Sequence, residues 1–186
     1  MLDVMEASIT QRLAALKASV PRLVLKSYGG ELSDPDMLAE AVSAGHAVLV
    51  TAPKARFTRK SNRRYSVTVS LRLVIAVRQA RDEQATRHGM KGSLGSYALW
   101  DKSVRLLAGF DPLPGFGRLE PTDFNNLVNG KTQRDYLSVL GQSFDVDGSW
   151  EIPTLLDGPP IEGIDLNYYL QPDDNAVDAV DRITPT

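Results

Sequence analysis

The chain has no cysteine and only two histidines in 186 residues. The first absence removes disulfides, thiolate nucleophiles and cysteine-type zinc sites together, and it fits synthesis in a reducing cytosol. The second leaves little material for acid–base or metal chemistry. His46 abuts an apolar run and His88 lies in a polar stretch, and neither stands at a triad or metal-ligand spacing. No run of about 18 apolar residues is present, so no transmembrane helix is expected. Acids at Asp3 and Glu6, within an amphipathic N-terminal segment, argue against a secretory signal. Internal repeats and low-complexity segments are also missing.

The motifs that hold nucleotides are absent too. Gly130-Lys131-Thr132 has the end of a phosphate loop, but the glycine needed five residues earlier is replaced by Asn125, and the segment precedes a strand rather than a helix. Gly115-Phe116-Gly117 lacks the third glycine of a dinucleotide fingerprint. Gly89, Gly92 and Gly95 stand ahead of a helix and read as a mobile connector rather than an anion site. The pairs Asp145/Asp147 and Asp173/Asp174 have no neighbouring base or apolar pocket, which leaves them a solvated or salt-bridged role. The sequence therefore predicts no enzyme, no cofactor and no metal.

What the chain does have is an uneven charge. From Lys54 to Arg87 there are ten Lys or Arg against two acids, a net of +8; from Asp145 to Thr186 there are ten acids against Arg182, a net of −9. The overall balance of −2 conceals this split. Oppositely charged halves can pair within one chain or meet head to tail between copies. The densest part of the positive half is Lys54, Arg56, Arg59, Lys60, Arg63 and Arg64, with no acid among them. It reads as a cationic loop, and it runs into a long strand in which Val67, Val69, Leu71, Leu73, Ile75 and Val77 alternate with mostly polar residues.

Around that strand the pattern predicts an α+β domain, a mostly antiparallel sheet with helices packed on one face. Leu2, Met5, Ile9, Leu13 and Leu16 predict an amphipathic helix over 2–18, stopped by Pro21. A short strand over 22–27 follows. Asp34-Pro35 opens a helix through Val42, and 47–51 is a buried strand. The long strand spans about 65–79, and 82–95 reads as a flexible loop. Ser93 or Ser96 caps a helix with Tyr97, Trp100, Val104 and Leu107 on one face. Residues 111–133 read as loop with a helical turn over 122–128, and 134–146 as an interior strand. The expected division is a domain over 1–150 and an extended acidic C-terminal arm over 151–186, whose prolines and acids leave it little core.

The cationic segment fits an acidic protein surface better than nucleic acid. The pI is about 5.7, and the basic residues are not interleaved with stacking aromatics. Arg56, Arg59, Lys60, Arg63 and Arg64 are thus the candidate interface residues.

Several segments together resemble a family of Mu-like phage and prophage tail terminators. They are Arg12-Leu13-Ala14-Ala15-Leu16, Lys26-Ser27-Tyr28-Gly29-Gly30-Glu31-Leu32, Ala47-Val48-Leu49-Val50, the strand from Val67 to Arg78, Gly95-Ser96-Tyr97, Leu106-Leu107-Ala108-Gly109 and Leu119-Glu120-Pro121. The resemblance spans about 2–146 and rests on their order and spacing. It implies a terminator-like α+β fold that closes as a six-fold homomeric ring on the last ring of the tail tube. Such a ring stops tube polymerisation and offers a joining surface to the head–tail connector. Its implied partners are other copies of itself, the tube protein, the neck connector and, where the tail contracts, the sheath. Membranes are not implied, and nucleic acid at most passes through the ring lumen. The implied location is the tail–neck junction of the virion, after synthesis in the bacterial cytoplasm. A head-completion or neck protein, also a ring former with basic loops, is the alternative; a nucleic-acid-binding accessory protein is a further one.

Overall fold

Alternating burial along one long strand organises the fold. The structure, a computed structural model, describes residues 1–28, 40, 42–78, 83–90, 93–127, 137–152, 164–168 and 179–183. Helix α1 (Leu2–Leu13) runs into a 3₁₀ turn (Ala14–Ala18), and strand β1 (Val24–Ser27) follows. Strands β2 (His46–Arg59) and β3 (Arg64–Arg78) form a long hairpin. Helices α2 (Glu83–His88) and α3 (Ser96–Leu107) lead to β4 (Glu120–Asn126) and β5 (Leu137–Glu151). These five strands make one sheet in the order β1-β2-β3-β5-β4, with only the β1–β2 pairing parallel. The chain thus has the expected α+β class with a mostly antiparallel sheet.

The residues of β3 explain why the helices lie where they do. Val67, Val69, Leu71, Leu73, Ile75 and Val77 all point to one face, where they are buried with Met5, Ile9 and Leu13 of α1 and Leu99 and Leu107 of α3. Each fully buried aliphatic side chain contributes about 1.5–3 kcal/mol. On the opposite face Val74 and Ala76 join Ala47, Leu49 and Val139 in a smaller cluster near the start of β2. Toward the other end that face turns to Ser66, Thr68 and Ser70, which are only partly buried. The sheet therefore has a base buried on both faces and a tip that is wet.

Several local expectations change. Residues 54–59 are not loop: they are the outer half of β2, paired with β3 from Lys54 opposite Ser70 to Arg59 opposite Tyr65. A register shift between Thr51 and Lys54 accommodates Pro53. Part of 82–95 is α2. The helical turn over 122–128 is replaced by β4, exposed along its whole length. The N-cap of α3 is Gly95, with no side-chain cap, because Ser96 Oγ instead shares a buried hydrogen bond of 2.8 Å with Ser138 Oγ on β5. The buried stripe of α3 is Ser96, Leu99, Ser103 and Leu107, with Tyr97 exposed. The small serines let the helix approach the sheet, and Ser103 Oγ donates to Leu99 O within the helix. Gly109 ends α3 with φ +77°, a left-handed value suited to glycine. The helix expected over 34–42 and the Gly130-Lys131-Thr132 turn lie outside the described residues.

Contacts divide the chain into two compact units, Met1–Glu151 and Ile152–Thr186. In the second, β6 (Ile164–Tyr168) and β7 (Ala179–Ile183) form an antiparallel hairpin with Ile164 opposite Ile183. Leu166, Val180 and Ile183 are exposed on it.

Candidate functional site

The five candidate cations fall together at the tip of the β2–β3 hairpin, and the structure separates them by what they already hold. Arg64 pairs with Glu151 across the β3–β5 rung, with Nη2 2.5 Å and Nε 2.6 Å from Oε1. Arg59 donates from Nε to Ser61 O at 3.2 Å and from Nη2 to Asn62 Oδ1 at 2.8 Å, so it staples the turn. The same turn is closed by Lys60 and Ser61 N–H donating to Arg64 O. Arg63 also has a partner. Among the described residues the side chains of Arg56 and Lys60 have no hydrogen-bonded or ionic partner, and Lys54 shares that condition. Arg59 and Arg64 therefore hold the tip, and Arg56 and Lys60 are left without a side-chain partner among the described residues.

Pairing register also sorts charge across the outer face. Lys54 lies opposite Ser70, Ser70 opposite Asp145, and Asp145 opposite Glu120. The next rung runs Arg56, Thr68, Asp147, in which Thr68 Oγ1 donates to Asp147 Oδ1 at 2.5 Å. Cations on β2 are thus separated from acids on β5 by a neutral Ser/Thr strand. Two strand spacings are about 10 Å, beyond the screening length of roughly 8 Å at physiological salt. The two stripes consequently remain distinct fields. Lys54, Arg56, Thr68, Ser70 and Asp145 line a shallow hollow of about 170 Å³ there.

The inner face of the tip is aromatic. Phe57 meets Trp150 edge to face at 5.9 Å, and Tyr65 meets the same ring at 5.9 Å. Phe57 is 48% and Trp150 38% exposed, so the cluster stiffens the ribbon and still offers apolar surface. Phe57 and Tyr65 flank the basic run in sequence; Trp150 on β5 is the member that sequence reasoning misses, and only the β3–β5 register brings it there. At the far edge of the sheet Phe124 of β4 stacks on Trp100 at 5.2 Å, and Trp100 Nε1 donates to Gln142 Oε1.

Other groups considered for chemistry are used locally. His46 Nε2 lies 2.7 Å from Leu94 O, and the His88 ring stacks on Tyr97. The carboxyl of Asp3 is held below its ordinary range by the N-terminal ammonium, and Arg105 is raised by Asp101; both are exposed and away from the tip. Among the described residues no helix is long and apolar enough to cross a membrane.

A family model described as Bacteriophage Mu, Gp37 matches residues 1–150. The chain belongs to the Bacteriophage Mu, Gp37 family. That makes it a phage structural or assembly protein, and the Gp37 match covers all but Glu151 of the α+β unit that carries the cationic tip. No curated protein matches the chain. Within this Gp37-family unit the candidate site is a rigid, three-stranded tip with a basic outer edge and an aromatic inner face.

Proposed function

We propose that this chain is a tail terminator, which closes as a six-fold ring on the last ring of the tail tube, stops tube growth and presents a joining surface to the head connector at the tail–neck junction of the virion. The observation that carries the reading is the cationic run from Lys54 to Arg64, acid-free in sequence and held at the end of a long β-ribbon, in a phage structural family. A terminator must bind one end of a growing polymer and withhold the surface that the next tube ring would use. A charged tip can serve either this contact with the tube or the contact with an adjacent subunit that closes the ring, because complementary fields raise encounter rates and fix orientation. Withholding that surface requires that the ring's opposite face differ from a tube subunit. A six-fold ring further requires an interface in which two different patches meet and the rotation closes. Chemistry on a substrate plays no part in this reading; the partners are protein surfaces.

The test is a phage lacking the chain, complemented with variants, with tails imaged by electron microscopy. Absence of the protein is expected to give tubes longer than normal and unjoined heads. The Arg56→Glu, Lys60→Glu double variant is expected to give the same defect in part, since those two side chains are the ones left to a partner. Tubes of normal length beside unjoined heads would sink the terminator role and support the neck-protein alternative. Normal tails and normal joining with the double variant would remove the tip from the interface.

A further inference from the structure

The two outer strands of the sheet complement each other in backbone, charge and apolar surface. Strand β1 covers β2 only from Ala47 to Val50. The next edge N–H, that of Ala52, donates to Glu6 Oε1 at 3.0 Å, and Pro53 has none to offer. From Lys54 to Arg59 the outer edge of β2 then has no strand partner among the described residues. At the other side of the sheet β4 pairs, among the described residues, with β5 alone, and its residues are all exposed. Each free stretch follows a proline, Pro53 on one edge and Pro121 on the other, with a register shift beside it, between Thr51 and Lys54 and between Pro121 and Phe124. They run for six residues, 54–59, and four, 122–125.

The geometry points to a contact in which the β2 edge of one copy pairs with the β4 edge of the next, extending one sheet across the subunit boundary. This rests on the ring proposed above and names the surface that closes it. Strand directions permit the pairing. β3 is antiparallel to β2, β5 to β3 and β4 to β5, so β4 runs opposite to β2. A copy added by rotation, with the same sheet face on the same side, therefore brings β4 antiparallel to β2, the more stable pairing. Faces match as well. Phe57 lies opposite Val67 and Phe124 opposite Gln142, both on the helix-bearing face, whereas Arg56 and Glu120 both lie on the other. Apolar surface thus meets apolar surface, and cations meet acids. β2 brings Arg56 and Lys60 at its end; β4 carries Glu120 and Asp123 and no cation. Like edges repel, since β2 against β2 places cation on cation and β4 against β4 acid on acid. The contact therefore joins unlike edges, the type that closes rings.

Charge exchange tests it. In the first variant Arg56→Glu and Lys60→Glu cancel the positive charge of the β2 edge, setting two acids against Lys54 and Arg59; in the second Glu120→Lys and Asp123→Lys make both edges basic. Each alone is expected to lose self-association, with the light-scattering mass falling to that of one 20.4 kDa chain. Their equimolar mixture is expected to regain the wild-type mass, because alternating copies restore every edge. Amide hydrogen exchange on the wild-type assembly needs no variant: residues 54–59 and 122–125 are expected to become protected together on assembly. Variants that associate like wild type, a mixture that stays dissociated although each variant shows native circular dichroism, or exchange unchanged at either stretch would each overturn the edge contact and leave the ring proposal standing. Rescue on mixing into open chains whose mass grows with concentration would support the edge contact and overturn the closed ring. A wild-type protein that stays at one chain in all conditions would overturn both.

Discussion

The loop before β4 is pinned to β5 by one close approach, and Gly148→Ala tests it. Phe116 lays its ring over Gly148 of β5, in a bridge reinforced by Gly117 N–H donating to Asp147 O at 2.6 Å. A Cβ at position 148 would lie 2.2 Å from Cδ1 and 2.4 Å from Cγ of that ring, where ordinary contact begins at 3.4 Å. The ring must therefore withdraw by about 1.2 Å or leave. Gly148 has no left-handed φ, so alanine costs nothing in backbone strain. It would even stabilise by about 0.4–1 kcal/mol through the unfolded chain. Against this stands an overpacking cost of about 1–3 kcal/mol. The net expectation is a loss of roughly 1–2 kcal/mol, which at about 2–4 °C per kcal/mol for a chain of this size lowers Tm by roughly 2–8 °C. Thermal or urea unfolding of Gly148→Ala, Phe116→Ala and the double variant measures it. With the ring removed, Gly148→Ala is expected to be neutral or slightly stabilising. The same loss in both backgrounds, or none in the wild type, would refute the reasoning.

Ser138→Ala leaves the buried Ser96 hydroxyl without its partner and is expected to cost about 1–3 kcal/mol in urea unfolding, while adding Ser96→Ala costs little more because both polar groups are then gone. Glu6 accepts from Ala52 N–H and, through Oε2, from Ser27 Oγ at 2.7 Å. Glu6→Ala is expected to cost about 1–2 kcal/mol, with Glu6→Gln recovering part of it. Arg64→Ala or Glu151→Ala breaks a pair whose side chains are 64% and 58% exposed, and the expected effect is under about 1 kcal/mol, shrinking in salt.

What the sequence made legible was the part of the fold that buries a face. The alternation in β3, the four-residue spacing of Met5, Ile9 and Leu13, and the apolar centre of β5 each announce their element because the side chains that fix it are apolar. β4 and the outer half of β2 bury almost nothing, so their strand character comes from hydrogen bonding to β5 and β3 and leaves no periodic trace. That is why Lys54 to Arg59 read as loop. The helix α3 was found with its face one residue out, since its inward stripe contains two serines whose hydroxyls are satisfied locally or by β5. For the site, the charge cluster was visible, but its division was not. Only the structure shows that Arg64 belongs to Glu151 and that Arg59 caps the turn, while Arg56 and Lys60 have no side-chain partner among the described residues. Trp150, 85 residues from Tyr65, could enter the cluster only through tertiary pairing.

The solution mass of the purified chain, by light scattering across a concentration series and with images of the particles, tests the terminator ring most directly. A discrete species near six times 20.4 kDa, about 122 kDa, with a central opening in the images, is the expected result. A mass that stays at 20.4 kDa, or one that rises without limit as concentration increases, would contradict the ring.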